Sequence, residues 1–247
     1  FNVFKLRAEE VYIDMLTDSG TSAMSSAQWA GVMVGDESYA GSKSFFNLRK
    51  SVQDIMGFPF VQPTHQGRAA DFIMSQLYAK NGGYILGNLH FDSFKGHAEI
   101  AGSLPVDMII EEGRTANSNP HPFKGNMDIK KLEHFIAEHG ASQIPLIIIT
   151  VTSNGNGGQP VSMENIRKVS AIAKAHGIPL MIDAARFAEN CYFIKKRELG
   201  YKDKTIHEIS LELFSYADGC VMSSKKDGLV NIGGFSCTRH EELVPTI

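Results

Sequence analysis

Apolar positions along the middle of the chain follow two different spacings. From Asp128 to His139, the residues Ile129, Leu132 and Ile136 recur three and four apart, which predicts one face of a helix, and Gly140 is its expected stop. The next segment, 145–151, is an unbroken apolar run rich in β-branched residues, the signature of a strand buried on both faces. Ser162 is placed to cap a helix reaching about His176, with Ile166, Val169 and Ala173 inward and Gly177 as its end. Residues 178–182 then read as a second buried strand. Strand, helix and strand at this spacing make a βαβ unit with parallel strands.

The alternation extends to both sides. Helices are expected over 44–56 and 68–80, with short strands near 84–88 and 106–110. Thr205 and Glu208 have capping-box spacing for a helix over 206–216. Short strands are expected at 220–222 and 233–238, and the two prolines in 117–122 mark a loop. The whole reads as one α/β layered domain. In such sheets a ligand sits beyond the carboxyl ends of the strands.

Composition narrows the class of function. The 247 residues suit one large domain, and a hydrophobic fraction of 43% is ordinary for a globular protein. A net charge of −3 gives no electrostatic case for nucleic acid or an anionic membrane. Cys191, Cys220 and Cys237 are sparse and form no Cys-x-x-Cys, which argues against zinc and a disulfide framework and fits a reducing cytoplasm. No signal-peptide pattern opens the sequence, and no apolar run approaches the ~20 residues of a membrane span. Because the first residue is Phe rather than Met, the natural start is expected upstream.

The strand ends carry the candidate chemistry. Strand 178–182 runs into Asp183, which reads either as a helix cap or as a carboxylate facing a ring nitrogen. Strand 220–222 runs into Ser223, Lys225 and Lys226. Paired lysines commonly mark a solvated turn, yet a lysine at a strand end can also form a Schiff base with a carbonyl. Gln66, Gly67 and Arg68 open the helix 68–80, where backbone N–H groups and a cation suit a phosphate. Phe91 can stack on a planar ring or fill core, and Asn154 can donate to a ligand oxygen. Each signal is ambiguous alone. Together the strand ends present groups for the phosphate, ring nitrogen, ring hydroxyl, ring face and aldehyde of one cofactor.

At these residues the chain resembles the pyridoxal-phosphate (PLP) dependent β-eliminating lyases, the tryptophanase and tyrosine phenol-lyase family. The matching stretches are 16–21 (LTDSGT), 35–41 (GDESYAG), 63–68 (PTHQGR), 157–162 (GGQPVS), 185–193 (ARFAENCYF) and 224–234 (SKKDGLVNIGG). The resemblance implies a three-layer, mostly parallel sheet, the large domain of the aspartate aminotransferase fold type I. On this basis residues 1–247 are a PLP-binding large domain, incomplete at both ends, with the C-terminal small domain absent. It makes Lys226 the Schiff-base lysine with Lys225 beside it, Asp183 the partner of the ring nitrogen, and Arg186 and Asn154 the groups at the ring hydroxyl. Gln66, Gly67, Arg68 and Ser223 become the phosphate cradle, and Phe91 the stacking aromatic. Tyr39 and Asp92 become catalytic acids or bases near the leaving group, Thr17 and Ser19 substrate contacts, and Gly20, Glu37 and Asn231 a potassium site. Asp92 after the stacking Phe91 resembles tryptophanases, whereas Val230, Asn231 and Ile232 resemble the phenol-lyases. The expected reaction is therefore conversion of L-tryptophan to indole, pyruvate and ammonium. The alternatives are tyrosine or cysteine/serine β-elimination, a threonine aldolase, or a non-catalytic PLP-binding remnant or subunit of a split enzyme. The family resemblance also implies a cytoplasmic homotetramer.

Overall fold

In the computed structural model, residues 5–12, 24–36, 38, 40–79, 82–115 and 120–246 are described. Among them, one sheet is built from β1 (Phe60–Thr64), β2 (Tyr84–Gly87), β3 (Leu104–Asp107), β4 (Leu146–Thr150), β5 (Leu180–Asp183), β6 (Gly219–Ser223) and β7 (Gly234–Thr238). Its spatial order is β1-β7-β6-β5-β4-β2-β3. Strands β3, β2, β4, β5 and β6 are parallel, while β7 runs antiparallel to both β6 and β1. The helices are α1 (Ser26–Met33), α2 (Lys43–Met56), α3 (Gly67–Tyr78), α4 (Asp92–Ala101), α5 (Glu111–Arg114), α6 (Ile129–His139), α7 (Met163–His176), α8 (Phe187–Arg197) and α9 (Ile206–Ser215).

Strand alternation divides the interior into two cores. Leu146 and Ile148 of β4 pack with Ala70 and Met74 of α3 and Phe94 and Ala98 of α4. Ile147 and Ile149 point the other way, into a larger cluster with Leu132 and Ile136 of α6 and Ile166 and Val169 of α7. The same switch occurs at Met181 against Leu180 and Ile182, and at Val221 against Cys220 and Met222. Each such aliphatic side chain contributes about 1.5–3 kcal/mol on burial. The period of two is hidden in the sequence because both faces are apolar.

Helix boundaries follow local chemistry. The side chains of Ser162, Asp128 and Ser42 accept the N–H groups of Asn165, Lys131 and Phe45. Thr205 and Glu208 form the expected capping box. Gly177, at φ 66°, closes α7 in the left-handed conformation.

Three elements differ from expectation. The strand expected at 106–110 lies at Leu104–Asp107, where it pairs with β2 at the sheet edge. Pro105 is tolerated there because an edge strand has one side without ladder partners. β1 contains Pro63 and is likewise an edge strand. α4 has a mostly polar sequence whose buried residues are Phe94 and Ala98. The three cysteines are buried and carry no disulfide. No helix among the described residues is long and apolar enough to cross a membrane.

Candidate active site

Strand order reverses between β2 and β4: β2 leads to β3 on one side, and β4 leads to β5 on the other. A crevice opens beyond the carboxyl ends at such a point. Buried Asn88 fixes its floor. The side-chain amide of Asn88 donates to Thr150 O at 3.0 Å and Gly125 O at 2.8 Å, while its Oδ1 accepts the N–H of Thr150 at 2.9 Å.

Beside it lies a cavity of about 680 Å3, part of it open to solvent. The fold brings Gln66, Gly67, Arg68, Phe91, Asn154, Asp183, Arg186, Ser223, Lys225 and Lys226 together around it, from five separate stretches of sequence. Asp71, Ser93, Thr150, Ala185 and Val221 complete the lining.

One end is built for an anion. Gln66 is extended, and no side chain caps the start of α3. A Cβ at Gly67 would stand 2.5 Å from Ser223 Cβ, so only glycine lets the helix start approach the end of β6 this closely. Gln66 also bridges to Gly233, and a Cβ at Gly234 would meet the Gly67 nitrogen at 2.6 Å. The helix start and Arg68 thus face the cavity with positive potential.

The other end carries the acid and the amine. Asp183, the last residue of β5, is 8% exposed and accepts the N–H of Ala185 at 3.3 Å. Burial raises its pKa, while Arg186 and Lys226 oppose the rise by favouring the ionised form. Lys226 Nζ donates to Ser223 Oγ at 3.1 Å. Asp183 is not the cap of the helix that follows. Asp227 fills that place, accepting the N–H groups of Ala188 and Glu189 at 2.7 and 3.2 Å. Its own N–H donates to Ala185 O at 3.3 Å, which pins the turn of Lys226 beside Asp183 and Arg186. Phe91 precedes α4, and Asn154 opens a short helical turn after β4.

Two predicted residues lie elsewhere. Asp92 is exposed on the first turn of α4 and is not in the cavity lining. Asn231 is exposed in the turn before β7, also outside the lining. Thr17, Ser19, Gly20, Glu37 and Tyr39 lie outside the described residues. Sequence reasoning passed over Asp71 and Ser93. The signal available for Asp71 was an acid on the inner face of α3, beside Ala70 and one turn before Met74. Ser93 gave none.

An uncapped helix start with a glycine cradle, a buried acid and a nearby lysine amine fit a flat, cationic ring bearing a phosphate and an aldehyde. The fold is that of the fold type I PLP-dependent enzymes. A threonine aldolase structure from Leishmania major matches with a TM-score of 0.60 at 18% identity, over 89% of this chain and 58% of that one. A structure described as SPT with PLP matches at 0.55 and 17%, over 92% and 47%.

The chain belongs to the β-eliminating lyases: the family model described as Beta-eliminating lyase matches residues 14–244. The tyrosine phenol-lyase of Pasteurella multocida is 54% identical over 243 residues, covering 98% of this chain and 53% of the relative. The tryptophanase of Hyphomonas neptunium is 51% identical, with 98% and 53% covered. The chain thus spans about half the length of the curated relatives it matches.

Proposed function

We propose that this chain is the cofactor-binding part of a cytoplasmic PLP-dependent lyase that removes the side chain of an aromatic amino acid by β-elimination. The observation that carries the reading is the meeting of Lys226, Asp183 and the uncapped start of α3 in one cavity. PLP, when bound, supplies an aldehyde that condenses with amines and a ring that accepts the electron pair released at the substrate α-carbon.

The residues divide the remaining work. Gly67 and Arg68 hold the phosphate with Gln66 and Ser223, and Phe91 stacks on the ring. Asp183 keeps a proton on the ring nitrogen, and Asn154 and Arg186 bind the ring hydroxyl. Lys226 Nζ would hold the cofactor's aldehyde and, once replaced there by the substrate amine, would accept the α-proton; Lys225 adds positive charge. Thr17 and Ser19 orient the substrate, and Tyr39 donates a proton to the leaving carbon. Gly20, Glu37 and Asn231 bind potassium, and the assembly is a homotetramer.

Asp92, beside Phe91 at the start of α4, supports L-tryptophan as substrate, since an acid next to the stacking aromatic can move a proton on an indole leaving group to release indole, with pyruvate and ammonium as the other products. Tyrosine is the second reading, favoured by the name of the Pasteurella multocida relative. The test is an absorbance titration of the chain with PLP, borohydride reduction and peptide mapping, then pyruvate assays with tryptophan, tyrosine and S-methylcysteine. A pyridoxyl group on Lys226 and pyruvate from tryptophan support the proposal. Label on another lysine overturns the cofactor assignment, and pyruvate from tyrosine alone overturns the substrate.

A further inference from the structure

Asp71 is the charged group of the cavity left without a task. It lies one turn into α3, is 6% exposed, and shares its helix face with Ala70 and Met74. A buried carboxylate destabilises a fold unless it is paired or hydrogen-bonded. Here Ser93 Oγ donates to Asp71 Oδ2 at 2.5 Å. Ser93 is the second residue of α4, so this bond ties α3, which opens the phosphate end, to the turn bearing Phe91 and Asp92. No side chain caps α4 at Phe91.

We propose that Asp71 is a positioning residue. Through Ser93 it fixes the first turn of α4, and with it Phe91, at the cavity. This rests on reading the cavity as a PLP site.

The groups around Asp71 set its own charge state. Arg68 from its own helix, Lys226 from the turn after β6 and Ser93 favour its ionised form. Asp183 from the end of β5 opposes it. Arg186 and Lys225 also line the cavity. Burial, with Asp183 second, pushes Asp71 up to about 7. Two acids facing one cavity release the first proton readily and the second reluctantly. Cationic-ring binding beside Asp183 needs that acid ionised. Asp183 pushes Asp71 up and feels no matching push in return, so Asp71 stays protonated beside it below about pH 7 and acts through its bond to Ser93. Asp71→Asn keeps an acceptor for Ser93 without a titrating group.

The experiment measures PLP affinity and the circular dichroism of bound PLP from acid to mildly alkaline pH. It compares the full chain with Asp71→Asn, Asp71→Ala, Ser93→Ala and the Asp71→Ala/Ser93→Ala double variant. Ser93→Ala and Asp71→Ala should each weaken PLP ~10-fold or more and alter its dichroism, with the double variant losing no more than one of them. Asp71→Asn should preserve the dichroism and most of the affinity, because it keeps the acceptor for Ser93. Additive losses, or an Asp71→Asn variant that binds PLP as weakly as Asp71→Ala, overturn the proposal. A wild-type chain that takes up no PLP overturns the reading of the cavity instead. The Asp71–Ser93 coupling is then read from thermal melts of the same variants, where additive losses again overturn it.

Discussion

Asp227 accepts the backbone N–H of Ala188 at 2.7 Å, and this bond holds the turn of Lys226 against the start of α8. A carboxylate at a helix start is stabilising through both hydrogen bonding and the helix dipole. Asp227→Ala should therefore lower stability by about 1–2 kcal/mol and slow PLP capture by Lys226. Asp227→Asn should recover most of both. Thermal melts and stopped-flow absorbance check this; an Ala variant with wild-type capture removes the latch.

At Gly67 the limit is steric. Gly67→Ala puts a methyl group 2.5 Å from Ser223 Cβ, with the Ser223 Cα at 2.8 Å behind it. Neither neighbour is the tip of a flexible chain. The helix start must withdraw from β6, at about 1–3 kcal/mol, and PLP affinity should fall with it. An affinity equal to wild type, measured by absorbance titration, would show that the cradle does not receive the phosphate.

The raised pKa of Asp71 has a signed effect on stability. Burial and the neighbouring Asp183 carry the group from an ordinary 3.8 to about 7 in the fold, so the folded chain holds a proton that the unfolded chain has lost between those values. That proton linkage lowers wild-type stability progressively as pH rises through this window, then levels off above it. Asp71→Asn carries no such linkage. Its melting temperature relative to wild type should climb between about pH 4 and 7 and stay level beyond. A difference that is flat across this window removes the buried-acid account.

For Asp92, the expected effect is on substrate choice. Asp92→Thr should cut elimination from tryptophan by ~10²-fold or more while sparing S-methylcysteine, whose thiolate leaves without help from a ring proton. Steady-state pyruvate assays on both substrates decide it, and equal losses would remove the case for tryptophan.

Potassium should tighten PLP binding relative to sodium if Glu37, Gly20 and Asn231 form a cation site. Affinity is titrated in each salt at matched ionic strength, and identical curves count against the site.

Much of this was legible because the signals are local. Capping by Ser162 and Thr205 needs only three or four residues of sequence, and both caps appear where expected. The strand ends at Asp183 and Ser223 could be located because the apolar runs before them are unbroken. The less legible parts depend on neighbours distant in sequence. Pro63 and Pro105 look incompatible with strands until β1 and β3 are seen to be edges. Asp71 looks like an ordinary helical acid until α3 turns that face to Asp183. The pairing of Asp227 with α8, rather than Asp183, cannot be read from spacing, because both acids flank the same helix start in space.

The partner of β1 is β7, with Phe60 opposite Thr238 and Thr64 opposite Gly234. During synthesis, the early strand therefore leaves the ribosome long before the strand that covers its edge. Until then its N–H and C=O groups are a bare template for other chains, and Gly67 has no Ser223 to rest on. The anion cradle is thus among the last parts of the sheet to close. Ligand uptake there then reports that β7 has paired, and a ligand bound in the cradle favours chains in which it has paired over those still waiting for it.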